Sequence, residues 1–350
     1  MAAEPAAPAS DTAVITGGGR SSAGSRRSRT GSPLVPFLFL APYLVLFTLF
    51  VVVPAVFGLW ISVHDWDYML DNQKFIGARN YTDLMDDQSV QYPDFWNGMR
   101  NTAIFTVASV PFLVTVPLVL AVMLHRKFPG RTFFRAVFFA PYVLGVAVIG
   151  LMWRYLLDGN FGLVNSLLGT DIQWTTSQPW AWVALVGVTV WWTMGFNAII
   201  YLAGLGDIPQ EQYEAAAIDG ASAVQQFRHV TLPGLRPVFV FVLITTILAS
   251  ANMFGQSYMI TQGGPTQSTQ TAIMVITDLG LSRFQMGQAA AESYILAIFL
   301  GLVSMVAFYA TRDRDAARQR KLERDQRKGK RPATPLASDS AGAEMSEVGR

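Results

Sequence analysis

The sequence predicts an all-α integral membrane protein with six transmembrane helices, both termini cytoplasmic and a helical cytoplasmic element between the fourth and fifth spans. Three observations carry that prediction. Charged residues are only 14% of the chain and the mean hydropathy is +0.33, whereas soluble domains carry roughly a quarter charged residues. Apolar runs long enough to cross a hydrocarbon core of about 30 Å recur along the chain. Lysine and arginine cluster in alternate connections, as orientation in a membrane requires.

The uncharged runs fall at about 34–63, 101–124, 136–157, 180–205, 237–260 and 288–310. The first, as a helix over 34–60, is about 40 Å long at 1.5 Å per residue, so it must tilt or project. It exceeds a signal-peptide core of roughly 7–15 residues, and no small-residue cleavage site follows it, so it reads as a retained span. The segment 64–98 holds Asp65, Asp67, Asp71, Asp83, Asp86, Asp87 and Asp94 against Lys74 and Arg79, and is expected outside. Arg126, Lys127, Arg131 and Arg135 after the second span, and the arginines before the first, belong inside. Residues 33–311 thus form the transmembrane domain. Residues 1–32 and 312–350 are expected to be charged, disordered cytoplasmic tails that bury too little apolar surface to offset ordering entropy.

Composition also excludes function classes. The net charge is +2 with the bases mainly in the tails and one loop, so no basic face is offered to nucleic acid. Cysteine is absent, and His64, His125 and His229 lie far apart in the sequence, which speaks against a metal site. Within the spans the only ionisable residues are Arg154, Asp158 and Glu292, near span ends. Burying a charge at the bilayer centre costs at least about 2.5–3.5 kcal/mol, and ion-coupled carriers retain such groups for their ion; this chain does not have that signature. No GxxxxGK[ST] loop is present to hold a nucleotide. Energy for any transport must come from a partner.

The loop 206–236 is the natural receiver. Asp207-Ile208-Pro209-Gln210 has the form of a helix start, with a carboxylate to cap and a proline in the first turn. The helix should end near Ile218 because Gly220 breaks it, and Ser222-x-x-Gln225 caps a second short helix that stops by Pro233. Ala215, Ala216 and Ala217 leave a small-residue surface, and Glu211 and Glu214 offer charge-assisted contacts, as in a docking element. An amphipathic loop resting on its own membrane domain gives the same pattern.

Glu214-Ala215-Ala216, then Gly220, then Val230-Thr231-Leu232-Pro233 resembles the EAA motif of binding-protein-dependent ABC importer permeases, with valine where the family commonly has isoleucine. Asp219 with Gly220 and Ala221, and Phe227-Arg228, resemble the carbohydrate-type, maltose-permease-like branch. Ala41-Pro42-Tyr43, Arg100-Asn101-Thr102, Pro141-Tyr142, Gly162 with Asn165, Gly263-Gly264-Pro265 with Thr269, and Gly287 with Ala289 extend that resemblance across most of the chain. The resemblance implies a non-enzymatic translocation subunit of the prokaryotic inner (plasma) membrane. It would pair with a second permease subunit, two copies of an ATPase that binds ATP and Mg, and an external solute-binding protein. Glu211, Glu214, Ala215, Ala216, Asp219, Gly220, Leu232 and Pro233 would then form the ATPase-coupling surface, and this chain itself would hold no cofactor.

A sugar needs neutral hydrogen-bonding side chains beside aromatic rings. Thr193, Asn197 and Tyr201 recur every fourth residue, as do Asn252 and Gln256, with Tyr258 nearby; these are the expected substrate path. Polar side chains of this kind also serve as interhelical glue, and both roles stay open. Trp180 and Trp182 fit the membrane interface better. A polyol or glycerophosphodiester is the alternative solute, and a membrane scaffold the alternative class.

Overall fold

The computed structural model describes residues 34–70 and 72–329. The expected tail 1–32 and the stretch 330–350 lie outside the described residues. The chain divides into a short unit ending at Ala55 and a large one from Val56 to Arg350.

In the short unit, helix Leu34–Phe47 passes into a π-helical turn, Thr48–Val52, before helix Val53–Ser62 begins. Pro54 accounts for the widened turn. Its ring would meet the carbonyl four residues back, at Phe50, and one extra residue in the turn relieves that contact. Val53 N–H accordingly donates to Thr48 O, five residues back.

Among the described residues, four helices are long and apolar enough to cross a membrane: Phe39–Ser62, Gln91–His125, Trp180–Gly206 and Met286–Tyr309. Two further crossings arise if each bent pair counts as one span: Arg131–Val143 with Val146–Leu156, bent by 96°, and Ala223–Gly234 with Arg236–Ala251, bent by 67°. The single helix expected over 136–157 is therefore corrected to a broken one: Pro141 weakens the ladder, and Leu144 and Gly145 then take extended backbone. The 67° bend lies at Leu235, before the expected 237–260 span. That span has its own interruption: the helix stops at Ala251; Asn252 adopts φ −96°, ψ 19°, and helical turns resume only at Gly255.

Two more expectations change. Asp207 ends helix Trp180–Gly206 rather than capping the next one; its N–H closes on Gly204 O, and Pro209 takes the N-cap position of Gln210–Ile218. Residues 312–329 continue the last helix, Met286–Gly329, where a disordered tail is expected. Arg, Ala, Gln, Lys and Glu dominate that stretch, all good helix formers.

Outside the helices, the acidic segment forms a small antiparallel hairpin, His64–Asp67 against Asn72–Phe75, with His64 opposite Phe75. Asn80 Nδ2 ties it down by donating to Ser62 O and His64 O. A second clasp joins residues far apart in sequence. Asn101 Nδ2 donates to Gln267 O and Gln270 O at 2.9 and 3.0 Å, while Thr102 Oγ1 accepts from Ala272 N–H. The motif residues Asn101, Thr102 and Thr269 are thus structural fasteners, Thr269 Oγ1 bonding Gly264 O at 2.7 Å.

The second-span helix Gln91–His125 packs mainly on Trp180–Gly206. One apolar cluster, around Phe105, Ile149, Leu185, Val188 and Ile260, joins the second to fifth segments; another, around Leu118, Ala198, Tyr201, Leu205 and Val242, joins the second, fourth and fifth at their other ends. Gly195 sets how closely the third and fourth approach, because a Cβ there would overlap the Phe138 carbonyl. Pro117, lacking an N–H, leaves Leu113 O without its helical donor. Asn197 Nδ2 supplies one from the neighbouring helix at 3.0 Å.

Asn197→Leu should therefore strand a buried carbonyl and lower stability by about 1 kcal/mol. Thermal unfolding of the detergent-purified protein measures this; an unmoved midpoint would show that the cross-helix bond contributes nothing. Gly195→Val should cost about 1–3 kcal/mol by overpacking. Its expected signature is loss of monodisperse protein in size-exclusion chromatography, and a variant as stable as the parent would contradict the close approach.

Candidate functional site

A cavity of about 450 Å³ opens where the two broken segments face each other. Tyr142 and Val146 flank the break at Leu144 and Gly145, and Asn252, Met253, Phe254, Gly255 and Gln256 come from the break after Ala251. Thr189, Trp192, Thr193, Phe196 and Asn197 of the unbroken fourth helix also line it. Interrupted backbone at this depth is tolerated where it borders a cavity or finds protein partners. Both conditions hold. Trp192 Nε1–H donates to Leu144 O at 3.2 Å, and Thr271 Oγ1 donates to Met253 O at 2.8 Å.

Aromatic rings form one side of the cavity. Tyr142 stacks on Phe196 with centroids 4.5 Å apart and planes 17° from parallel, and Trp192 lies 6.2 Å from Tyr142. None of the lining residues is Asp, Glu, Lys, Arg or His.

The expected path residues separate on this geometry. Thr193, Asn197, Asn252 and Gln256 all border the cavity. Asn252 and Gln256 reach it from a break and the turn beyond it, not from one continuous helical face. Tyr201 does not reach it: the ring is 0% exposed among Leu118, Ala198, Leu205 and Val242, so packing accounts for it. Tyr258 stacks on Phe254 at 5.2 Å and is half exposed, outside the lining set. Tyr142, Phe196 and Thr246 are not among the expected path residues, although all three line the cavity. Pro141 beside Tyr142 is the one local signal for that corner.

The second region is the loop between the fourth and fifth segments. Helix Gln210–Ile218 ends in a Schellman arrangement: Gly220 N–H donates to Ala217 O at 3.0 Å and Ala221 N–H to Ala216 O at 2.9 Å. Gly220 takes φ +77°, which a side chain would strain. The capping box is formed, with Ser222 N–H on Gln225 Oε1 at 2.7 Å and Gln225 N–H on Ser222 Oγ at 3.4 Å. Tyr213 Oη and Thr231 Oγ1, 3.0 Å apart, tie the two arms together.

Glu211, Glu214, Ala215, Asp219 and Gly220 are exposed on this element, Leu232 is marginally so, and Ala216 and Pro233 are half-buried. Ile218 and Val224, 87% and 75% exposed, project on either side of Gly220. Sequence reasoning passes over both. Their signal is an aliphatic residue on each side of the helix-breaking glycine, with Asp219 between them and the motif's carboxylates close by.

The family described as the binding-protein-dependent transport system inner membrane component matches residues 95–318. This chain belongs to that family. Both regions of the permease described above lie within the matched residues; the first helix and the hairpin precede them. A lactose transport system permease protein of Rhizobium radiobacter is 34% identical over 288 residues, covering 79% of this chain and 94% of that protein. A probable starch degradation products permease protein of Thermoanaerobacterium thermosulfurigenes is 32% identical over 284 residues, covering 80% and 94%. The arabinooligosaccharides transport permease protein of Bacillus subtilis is 32% identical over 280 residues, covering 78% and 87%. Among solved structures, a bacterial ABC transporter involved in import of the acidic polysaccharide alginate superposes with a TM-score of 0.69 at 21% identity. It covers 79% of this chain and 95% of its own, a match in fold.

Proposed function

We propose that this permease forms half of the translocation path of an ATP-binding-cassette importer for a sugar delivered by an external solute-binding protein. The observation that carries the reading is the cavity between the two broken segments, lined by uncharged hydrogen-bonding side chains together with stacked aromatic rings. Relatives named for lactose, starch degradation products and arabinooligosaccharides support the sugar class. Thr193, Asn197, Asn252 and Gln256 contact the solute in this reading, while Tyr201 supports the wall from behind.

The permease crosses the prokaryotic inner membrane six times, with both termini in the cytoplasm. It pairs with a second permease subunit and two ATPase copies, which bind ATP and Mg; this chain performs no hydrolysis. The element around Gly220 is the coupling helix. Ile218 and Val224 enter an apolar cleft of the ATPase, and Glu211, Glu214 and Asp219 meet basic or polar groups at its rim. Ala215, Ala216, Leu232 and Pro233 shape the contact and its junction with the membrane domain.

Force has a short route from there. The docking element is bracketed by Trp180–Gly206 and Arg236–Ala251, which both line the cavity. ATP-driven closure of the ATPase pair displaces the element, and the two helices switch the cavity's access as rigid bodies, biased by the ATPase's differential affinity for the two states.

Two substitutions separate the halves of this proposal. Gly220→Pro cannot adopt φ +77° and removes the N–H bonded to Ala217 O, so uptake should be lost in proteoliposomes holding the assembled importer while the protein still inserts; normal uptake would sink the coupling assignment. Asn252→Ala should weaken solute affinity roughly tenfold or more with subunit assembly intact, as read by uptake kinetics and co-purification of the ATPase. Unchanged affinity would remove Asn252 from the path.

A further inference from the structure

The polar groups of the cavity wall are not evenly divided between donors and acceptors. Thr189, Thr193 and Thr245 each direct their hydroxyl proton to a backbone carbonyl one turn earlier, at 2.8 Å, on Leu185 O, Thr189 O and Phe241 O. Asn197 and Asn252 each commit an amide N–H in the same way, to Leu113 O at 3.0 Å and Leu248 O at 2.8 Å. The Trp192 indole N–H is taken by Leu144 O. The helices and their breaks thus consume side-chain donors to satisfy backbone carbonyls. What these side chains retain toward a solute is chiefly oxygen: three hydroxyl lone-pair sets and two amide Oδ1 atoms, beside one N–H on each asparagine. Gln256, Thr246, Ser250 and the Tyr142 hydroxyl complete the polar lining with further neutral donors and acceptors, and no cationic side chain is present among the lining residues.

We infer that the cavity selects uncharged sugars, which exchange hydrogen bonds with this neutral, cation-free wall, and rejects uronates and sugar phosphates. The inference rests on reading the cavity as the sugar path and narrows the substrate class at that same site. A neutral pyranose or furanose offers several O–H donors and a C–H face for the Tyr142, Phe196 and Trp192 rings. A carboxylate or phosphate offers only acceptors. Moved from water into this cavity, it would lose its hydration and meet only neutral donors, with no compensating cation. The discrimination comes from fold chemistry: the wall carries no cation, and part of its neutral donor capacity is already bonded to backbone carbonyls.

The native chain has no cysteine, so one introduced into the cavity is a unique reporter on this subunit. Ala249→Cys places a thiol on the lining with a minimal change of volume, and Gln256→Cys provides a second position if the first disturbs folding. The importer, assembled with its partners in nanodiscs, is labelled with a maleimide in the presence of short gluco-, galacto-, arabino- and xylo-oligosaccharides and of the matching oligoglucuronates and oligogalacturonates. Labelling is read on this subunit after gel separation, and the external solute-binding protein is left out of the assembly so that its own preferences do not enter the measurement. The expected result is protection by one or more neutral members, with uronates needing roughly hundredfold higher concentration or failing altogether. A uronate that protects as well as its neutral counterpart overturns the selectivity inference and leaves the sugar path standing. Failure of every saccharide to protect either thiol overturns the sugar path itself.

Discussion

Where a helix is interrupted in apolar surroundings, the backbone groups it releases must find partners inside the protein, and this constraint organises the whole membrane domain. Three freed carbonyls are met by side chains from elsewhere: Leu113 O by Asn197, Leu144 O by Trp192 and Met253 O by Thr271. Each bond is also a tertiary fastener, since donor and acceptor belong to different segments. The second, third and fourth helical runs and the loop after the fifth are held in register by the same bonds that make the breaks tolerable. The cavity lies at these interruptions because irregular backbone and open volume tolerate each other there.

The same constraint explains how much of the fold is legible in the sequence. Six apolar runs, their approximate ends and the glycine joint at Gly220 follow from hydropathy, helix length and capping chemistry, and the structure carries Gly220 at positive φ as a broken helix demands. The two breaks that border the cavity do not follow from such signals. Pro141 hints at the first, although a proline inside a helix more often kinks it than turns it by 96°. The break after Ala251 has no proline at all; Ser250, Asn252 and Gly255 are individually tolerated in membrane helices, and what favours the break is the Thr271 hydroxyl waiting for Met253 O. That partner is contributed by tertiary contact, which a local pattern does not contain.

The candidate site divides in the same way. The docking element is local: a Schellman turn and a capping box are written in adjacent residues, so its two short helices are legible from the order of those residues alone. Its first cap is not, because Asp207 is claimed by the helix that precedes it. For the cavity, periodicity puts Thr193, Asn197 and Tyr201 on one face, yet a helical face is wide enough to serve both cavity and core. Tyr201 falls on the core side, four residues past Asn197, where the neighbouring helices have closed together.

Asn197 shows why glue and substrate contact need not be alternatives. One amide N–H is committed to Leu113 O, which fixes the side chain's rotation and aims its remaining groups from a rigid position. A polar side chain held this way contacts a solute without first losing rotamer entropy, so part of the ordering cost is met at folding instead of at binding. The threonines of the same helix follow the rule, each anchored to the carbonyl a turn before it. Rigid contacts suit a carrier with a large switch between states, because they move with the helix that bears them. The fourth helix runs unbroken from the cavity to the residues just before Gln210, so its cavity-lining groups and the start of the helix Gln210–Ile218 are joined by one rigid element.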